Sequence, residues 1–387
     1  MQKIIKPFSI LNKYPEHKIY IADDIFSNFK QIIQKYPNAL IVTDENIHKK
    51  LLINFSKLNI KILNANVKAE KSLAEQISNE ILAYDFAIAI GSGTINDLVK
   101  YAAYLANKPY IIFATAPSMN GYYSENASLI SNNLKQSFKA KIALAGYFDL
   151  HILANAPLRL IQSGVGDSIC STIARADWLL SHYVTGSSYE ELPFDLTYKL
   201  EDSLYKQVNL LKTRRLEPIY LLTEILIYSG LAMTYCGGSY PASQGEHLIA
   251  HLYEMLDPGN ANLLYHGEQI ALTSLIMIAL QEKLIKQTNI ILKTRSFPVP
   301  TKHLNIVKAP LDIASTNQIL ATNWPELTNK ILAKFRSNIM IIKILNEAGI
   351  DIAKNQNLLN QSLYKFAIKN AFLIRDRFTF LDLNYYL

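Results

Sequence analysis

The sequence has very few cysteines and no block of like charges, and both absences narrow what the protein can be. Only Cys170 and Cys236 occur among 387 residues, and their spacing matches neither a disulfide framework nor a metal-binding motif. We therefore expect a reducing compartment and no cysteine nucleophile. The formal net charge is +7, yet Lys and Arg are scattered singly, unlike the basic patches of nucleic-acid binders. We expect no nucleic-acid partner and a mild attraction for anionic small molecules.

A long uninterrupted apolar run is also missing. The N-terminal segment "MQKIIKPFSILNKYPEHKIYIADD" lacks the apolar core and the cleavage site of a secretory signal. Residues 219–236 come closest to a membrane span, but they contain Glu224 and a Gly-Gly turn follows them. This pattern favours a buried core helix. We expect a cytoplasmic protein without a membrane span, and a homo-oligomer, either a dimer or a larger assembly.

The pattern of apolar residues changes partway along the chain, which is long enough for two domains. Before about residue 155, strand-like runs alternate with amphipathic stretches, which predicts a parallel sheet wrapped by helices. The predicted strands are 17–22, 39–43, 60–63, 87–91, 110–115 and 142–146. Beyond that point helical patterns dominate, including 163–184, 196–213, 218–235, 243–256 and 265–286. We predict a Rossmann-like α/β domain over residues 1–155 and an all-α domain over residues 156–387.

A glycine-flanked turn, "GSG" at 91–93, closes a predicted strand and opens a predicted helix. Backbone N–H groups and the helix dipole at such a turn favour an anion such as a phosphate. Asn96 stands where the third glycine of a G-x-G-x-x-G fingerprint would be. A strand-to-helix turn that binds no ligand would show the same sequence pattern. Asp97 and Lys100, which follow in the helix, could cap it, pair with each other or bind a ligand.

A second polar loop, "TAPSMNGYYS" at 115–124, follows the next predicted strand. Its hydroxyls on Thr115, Ser118 and Ser124 are expected at the carboxyl edge of the sheet, where open α/β sheets bind ligands. Asp44 follows an earlier strand and is a candidate to accept a hydrogen bond from an adenosine ribose hydroxyl. The alternative is an ordinary helix-capping aspartate.

Three candidate metal ligands lie in the helical half of the chain: Asp167, His247 and His266. Two histidines and one carboxylate leave a coordination position open for substrate, as in catalytic metal sites. His247 and His251 are four residues apart on one predicted helix and share a face. The "HLIAH" step lacks the glutamate of H-E-x-x-H, which argues against a metalloprotease. Spacing alone does not decide between a metal site and ordinary core or surface histidines.

Taken in order, five motifs resemble the sn-glycerol-1-phosphate dehydrogenases, a branch of the iron-containing alcohol dehydrogenase and dehydroquinate synthase-like superfamily. They are "GSGTINDLVKYAAY", "TAPSMNGYYS", "APLRLIQSGVGDSICSTIARADWLLSH", "GEHLIAHLYE" and "HGEQIAL". The resemblance implies NAD(P)H-dependent reduction of dihydroxyacetone phosphate to sn-glycerol 1-phosphate, a step toward phospholipids. It also implies one divalent metal ion, with zinc favoured and nickel or iron as alternatives. The first domain would bind the dinucleotide and the second the metal and substrate.

The resemblance also assigns roles to residues by their position in these motifs. Asp167, His247 and His266 would hold the metal. Asn120, Asp167 and His251 would contact the substrate and take part in catalysis. The cofactor would be lined by the turn and the following loop: Gly91, Ser92, Gly93, Thr94, Ile95, Thr115, Ala116, Pro117, Ser118 and Ser124.

The chain departs from the family pattern at Asn120, where relatives usually carry an aspartate. An asparagine can hydrogen-bond a substrate hydroxyl, but it carries no charge and relays no proton. Three readings therefore stay open beside the leading one. They are another polyol dehydrogenase, a sugar-phosphate cyclase like dehydroquinate synthase, and a non-catalytic nucleotide-binding relative.

Overall fold

The computed structural model describes residues 3–4, 17–53, 58–132, 134–297 and 308–387. The chain divides into two compact units, Met1–Gly164 with Ser203–Tyr235, and Val165–Asp202 with Cys236–Leu387. The segment Ser203–Tyr235, which follows the predicted boundary at residue 155, is counted with the first unit. The division of roles between residues 1–155 and 156–387 stays a prediction.

The first unit is built on a seven-stranded sheet. Its strands lie in the order β1-β2-β9-β6-β5-β3-β4, and every described pairing is parallel except that of β1 with β2. The strands are β1 (Lys3–Ile4), β2 (Lys18–Ala22), β3 (Ala39–Asp44), β4 (Asn59–Leu63), β5 (Phe86–Gly91), β6 (Tyr110–Ala114) and β9 (Ala145–Asp149). The predicted parallel sheet is confirmed.

Helices and an apolar core explain why the central strands are almost wholly apolar. All five residues of β6 are buried, as are five of the six in β5, because central parallel strands are covered on both faces. The helices of this unit are α1 (Phe29–Ile33), α2 (Glu45–Ile47), α3 (Lys71–Ile81), α4 (Gly93–Leu105), α5 (Leu150–Ala154) and α9 (Leu216–Tyr235). Helix α6 (Leu158–Ser168) continues from this unit into the second.

Two details of the strand prediction were wrong. The last strand was expected at 142–146 but is Ala145–Asp149, because Ile142 and Ala143 are buried without joining the sheet. The sequence reading also missed an antiparallel hairpin, β7 (Asn126–Ser131) with β8 (Leu134–Lys139). Its period-two signal is visible in β7, where Ala127 and Leu129 are buried between partly exposed neighbours.

The second unit is helical, as predicted for the C-terminal part of the chain. Its helices are α7 (Ser171–Thr185), α8 (Leu192–Tyr205), α10 (Gly245–Leu256), α11 (Pro258–Ala261), α12 (His266–Ile285), α13 (Ile313–Leu332), α14 (Asn338–Ala348), α15 (Ile352–Asn357), α16 (Gln361–Asn370) and α17 (Phe380–Tyr386). The last three residues of α8 are counted with the first unit. The single helix expected over 163–184 is in fact two, α6 and α7, separated by a turn at residues 169–170.

Helix α9 is the one described helix whose length and hydropathy would suit a membrane span. Of its most apolar window, 72% is buried within the protein. A core helix of a folded domain has this property, in agreement with the reading from the sequence.

Candidate active site

The glycine turn lies where the sequence predicted it, between β5 and α4. Gly91 ends the strand, Ser92 is the N-cap and Gly93 begins the helix. Ser92 makes no side-chain capping bond, and both it and Thr94 are partly exposed. The Ser92 side chain therefore does not cap the first N–H groups of α4. A phosphate cradle requires such uncapped N–H groups.

The turn glycines also serve packing. A Cβ at Gly93 would lie 2.6 Å from Sδ of Met119, and one at Gly91 would lie 2.6 Å from Cγ1 of Ile95. A side chain at Gly93 would therefore displace the flexible end of Met119, besides narrowing the approach of a ligand to the backbone. The sequence reading considered only the ligand.

Lys100 fixes the neighbouring loop at 115–124 from within the first unit. Its ammonium group is fully buried and donates to the carbonyl oxygens of Gly121 at 2.5 Å and Asn126 at 3.0 Å. A carboxylate oxygen of Asp97 lies 3.5 Å from Lys100 Nζ, and Asp97 also accepts the N–H of Ser128 at 3.1 Å. Of the roles left open for these two residues, pairing is the one observed.

Burial acts on both members of this pair. It raises the pKa of Asp97 and lowers the pKa of Lys100, while their mutual attraction opposes both shifts. A buried pair of this kind depends on both partners, because removing one leaves the other charge uncompensated. Asp97 and Lys100 therefore form a structural clamp on the loop.

Two helical glycines let the same loop pack closely. A Cβ at Gly164 in α6 would lie 1.9 Å from the carbonyl oxygen of Pro117, and one at Gly230 in α9 would lie 2.7 Å from that of Asn120. Neither position accepts a side chain without movement of the loop backbone. The loop that carries the predicted cofactor and substrate contacts is thus held from several sides.

The predicted loop contacts differ in how their polar groups are used. Thr115, Ala116, Pro117 and Ser118 are buried. The hydroxyl of Ser124 lies within hydrogen-bond distance of the carbonyl oxygens of Gly121, at 3.0 Å, and Asn126, at 2.9 Å. Its proton is therefore engaged inside the loop, so a cofactor contact from Ser124 would use the oxygen as an acceptor.

Asn120 and Asp44 occupy distinct positions in the first unit. Asn120 is 8% exposed and lies in the clamped loop. Asp44 is the N-cap of α2, where its Oδ1 accepts the N–H groups of Asn46 at 2.9 Å and Ile47 at 3.1 Å. The capping alternative for Asp44 is therefore observed, and a ribose contact would have to share this carboxylate.

The second unit brings the three predicted metal ligands together. Asp167 lies near the end of α6, His247 in the first turn of α10 and His266 at the start of α12. Their ligand atoms all lie within 4.8 Å of one another. Close packing of the backbone allows this approach, because a Cβ at Gly166 would lie 2.0 Å from the carbonyl oxygen of Gly267. Each of these glycines is next to one of the ligands.

The distances suit a shared cation. Oδ1 of Asp167 lies 3.8 Å from Nε2 of His247 and 3.8 Å from Nε2 of His266, which is too long for a hydrogen bond. Donors at about 2.0–2.2 Å from a tetrahedral zinc ion are separated from one another by roughly 3.3–3.6 Å. A small contraction would therefore bring the three donors into coordination distance, and the residues fit a divalent ion.

Glu246 completes the surroundings of His247, and the sequence reading missed it. The carboxylate is fully buried, and its Oε1 lies 2.7 Å from Nδ1 of His247 and accepts the N–H of Gln244 at 2.9 Å. A carboxylate at Nδ1 holds the ring proton on that nitrogen. The other nitrogen, Nε2, lies on the side of Asp167 and can then offer its lone pair to a metal.

Asp177 holds the start of the same helix. Its Oδ2 accepts the N–H of Gly245, the first residue of α10, at 2.9 Å, and its Oδ1 accepts the N–H of Phe380, the first residue of α17, at 3.0 Å. Burial raises the pKa of Asp177 to about 7, although these donors and Gln281 favour the carboxylate. One buried side chain thus joins the helix that carries His247 to the C-terminal helix.

His251 lies one turn beyond His247, as predicted. The centroid of its ring is 5.8 Å from that of His247 and 6.2 Å from that of His266. Nη2 of Arg375 lies 3.4 Å from Nδ1 of His251. The sequence reading did not identify this arginine, which is 124 positions away along the chain.

Neither cysteine is suited to nucleophilic attack. Cys170, Glu246 and His247 form a second close group, but burial, followed by the nearby carboxylates, raises the pKa of the Cys170 thiol. Burial likewise raises the pKa of Cys236 to about 12. Both thiols therefore stay protonated near neutral pH and are poor nucleophiles.

Comparison with known proteins agrees with this architecture. The family described as "Iron-containing alcohol dehydrogenase" matches residues 22–157. The fold is similar to that of a sulfoacetaldehyde reductase from Bifidobacterium kashiwanohense solved with NAD+, with a TM-score of 0.63 and 13% identity over 95% of each chain. It is also similar to a probable glycerol dehydrogenase from Sinorhizobium meliloti, with a TM-score of 0.59 and 16% identity over 88% of this chain and 98% of the other.

Sequence similarity is higher among curated relatives named "Glycerol-1-phosphate dehydrogenase [NAD(P)+]". The protein of Sulfurisphaera tokodaii is 32% identical over 298 residues, 75% of this chain and 84% of the relative. That of Thermococcus sibiricus is 32% identical over 70% of this chain and 76% of the relative. The chain belongs to the glycerol-1-phosphate dehydrogenase family of the iron-containing alcohol dehydrogenases.

Proposed function

We propose that the protein reduces dihydroxyacetone phosphate to sn-glycerol 1-phosphate with NAD(P)H and one bound divalent ion. The observation that carries the proposal is the Asp167, His247 and His266 cluster, with its 3.8 Å separations, in a chain similar to relatives of that name. When bound, NAD(P)H would supply the hydride for the carbonyl carbon and be oxidised to NAD(P)+, and a proton from the protein would join the carbonyl oxygen. When bound, the ion would supply Lewis acidity at the carbonyl oxygen.

Zinc is the ion that we propose, and elemental analysis of the purified protein would distinguish it from the alternatives, nickel and iron. Two neutral imidazoles and one carboxylate form a donor set found in zinc enzymes, although a similar set also occurs with non-haem iron. With zinc, this donor set keeps a net positive charge. That charge favours an anionic substrate and the negative charge that develops on the carbonyl oxygen.

The turn and the clamped loop of the first unit are the proposed cofactor site. N–H groups at the start of α4 would face the pyrophosphate, with Gly91, Ser92, Gly93, Thr94 and Ile95 along it. The loop residues Thr115, Ala116, Pro117, Ser118 and Ser124 would line the rest. Because Lys100 holds this loop from inside the fold, the site needs little ordering when the cofactor binds.

His251 is the proposed proton donor. An arginine only donates hydrogen bonds, so in its contact with Arg375 the Nδ1 of His251 is the acceptor. The neutral ring then carries its proton on Nε2, and this atom is the one that delivers it to the product oxygen, directly or through water. Asn120 would orient a substrate hydroxyl without moving a proton.

Two further proposals concern where and how the protein works. We propose that it acts in the cytoplasm, where its two free cysteines would stay reduced. We also propose that it is a homo-oligomer, a dimer or larger. Sedimentation of the purified protein tests the second statement.

A substrate comparison tests the main proposal. Zinc-loaded protein should oxidise NADH or NADPH with dihydroxyacetone phosphate far faster than with dihydroxyacetone. In the reverse direction it should oxidise sn-glycerol 1-phosphate but not its 3-phosphate enantiomer. Faster turnover of glycerol would instead support another polyol dehydrogenase, and no turnover of any of these would support a non-catalytic relative.

Replacing Asn120 by aspartate tests the residue at which the chain departs from its family. A carboxylate there can relay a proton, and such assistance is typically worth about a hundredfold. We expect Asn120→Asp to raise turnover and change the pH profile, whereas Asn107→Asp, at an exposed position, should change neither. Unchanged or lower turnover would indicate that Asn120 is tuned to another substrate of the superfamily.

A further inference from the structure

Two arginines of the second unit have no acidic partner among the residues that the structure describes. Arg375 and Arg377 are both only partly exposed, and in the described part of the chain no carboxylate forms an ion pair with either guanidinium. Asp376, between them, is exposed. Charged side chains that are shielded from water are normally paired with an opposite charge. An anion from outside the chain would therefore stabilise these two cations.

The two arginines differ in how far the fold already uses them. Arg377 donates to the carbonyl oxygen of Ser243 and, at 2.9 Å, to Oγ of Ser239, and its guanidinium lies 4.6 Å from the ring centroid of Tyr240. Arg375 makes one described polar contact, to His251. Arg377 is therefore fixed by its neighbours, while most of the five N–H donors of Arg375 remain for a ligand.

The electrostatics of the two groups agree with this difference. Burial lowers the pKa of Arg375, and burial together with repulsion from Arg375 lowers the pKa of Arg377 to about 10. Both remain charged at neutral pH. Attraction to Glu246 offsets only part of this for Arg377, so an added anion would relieve an unfavourable concentration of positive charge.

We propose that Arg375 forms the subsite for the phosphate group of the substrate, with Arg377 as a second, fixed cation that adds to its positive field. The inference rests on the proposed function and identifies a contact that the sequence left unassigned. Arg375 touches His251, whose ring lies about 6 Å from the rings of both ligand histidines. In a short phosphate ester the phosphorus is only a few bonds from the carbonyl carbon, so an arginine one residue removed from these histidines is a suitable place for the phosphate. A guanidinium also suits a phosphate because it donates two parallel hydrogen bonds.

Selectivity between two ketones tests the subsite. The ratio of kcat/KM for dihydroxyacetone phosphate to that for dihydroxyacetone should fall about 10- to 100-fold in Arg375→Gln, since a hydrogen bond to a charged group has about this weight. Arg375→Lys keeps the charge without the paired donors and should lie between. Arg295→Gln removes the same charge from an exposed position of the same unit and should leave the ratio unchanged.

Different failures lead to different conclusions. If the wild type prefers the phosphorylated ketone and Arg375→Gln keeps that preference, the subsite is wrong and the proposed function stands. A rise in KM for NADPH alone would also overturn the subsite, because the arginine would then serve the cofactor. If Arg375→Gln does not fold, the comparison of Arg375→Lys with the wild type decides, and an unchanged ratio overturns the subsite.

A binding measurement keeps the subsite testable without turnover. Inorganic phosphate is titrated by calorimetry into the zinc-loaded wild type and Arg375→Gln, with zinc content checked in both. We expect binding to the wild type and a loss of at least about tenfold in affinity in the variant. Equal affinities, or no binding to the wild type, would contradict the subsite even if the wild type reduced neither ketone.

Discussion

A buried ion pair in the first unit and a group of charged side chains in the second differ in the closeness of their contacts. In the first, Lys100 and Asp97 find their partners inside their own fold, at hydrogen-bond distances of 2.5 to 3.1 Å. In the second, Asp167 lies 3.8 Å from two histidine nitrogens, and Arg375 has no described acidic partner. The Asp97–Lys100 pair is held by close contacts within its own fold, whereas the 3.8 Å spacing in the second group leaves room for a ligand.

The largest effect on turnover should follow from removing one of the three candidate metal ligands. His266→Ala removes a partly exposed imidazole, so the fold should persist while the ion is lost. Turnover should fall about a thousandfold or more, because a Lewis-acid ion supplies several kcal/mol of stabilisation to the transition state. His151→Ala, at an exposed position, is the matched control. Elemental analysis and kcat check both variants, and a variant that keeps ion and rate would refute the assignment.

Removing Lys100 from its pair with Asp97 should instead lower the stability of the fold. Lys100→Met leaves Asp97 buried without its cation and leaves the Gly121 and Asn126 carbonyl oxygens without their donor. We expect a loss of about 3–5 kcal/mol in the free energy of unfolding. Lys139→Met, on an exposed side chain of β8, should lose little. Urea denaturation measures both, and equal stabilities would show that the clamp is dispensable.

Asp177 should make the stability of the second unit depend on pH. Its pKa, about 7 in the folded chain, lies above the unfolded value near 3.9, so the folded state binds more protons between these limits. Stability from this group is present below about pH 4 and is lost as the pH rises to 7, by up to roughly 4 kcal/mol.

Denaturation of Asp177→Asn across this range isolates that contribution. The wild type should lose stability relative to the variant as the pH rises from 4 to 7. Asp312→Asn, at an exposed helix cap, should show no such trend. A pH-independent difference between wild type and Asp177→Asn would mean that Asp177 is ionised in both states.

The smallest effect should come from the carboxylate behind His247. Glu246→Ala removes the acceptor at Nδ1, so we expect zinc affinity to fall about 10- to 100-fold, as when other supporting partners of metal ligands are lost. Glu246→Gln keeps an acceptor and should lose less. Competition with a chromogenic chelator measures the affinities, with Glu347→Gln at a partly exposed position as control. Equal affinity in Glu246→Ala would assign the residue to packing.

Local patterns predicted much of the fold because the signals are local. The apolar runs of β5 and β6 and the helix starts at Gly93 and His266 follow from neighbouring residues. The hairpin β7–β8 was missed although its alternation is visible, because its two strands are rich in polar residues. The strand β9 was displaced because burial of Ile142 and Ala143 does not require strand pairing.

The supporting residues of the site could not be predicted in this way. Asp177 meets Gly245 across 68 positions, and Arg375 meets His251 across 124. No helical or strand period links such residues, so only the packing of whole helices reveals the contacts. The five ordered motifs indicated the three candidate metal ligands, but these motifs did not point to Arg375 and left the role of Lys100 undecided.

The most direct test of the account is to remove the metal and return it. Protein stripped with a chelator should reduce dihydroxyacetone phosphate at a negligible rate while remaining folded. Zinc should restore turnover in proportion to its binding, with an end point of about one ion per chain. Metal-free protein that reduces dihydroxyacetone phosphate at the full rate would contradict the central claim that Asp167, His247 and His266 hold an ion needed for catalysis.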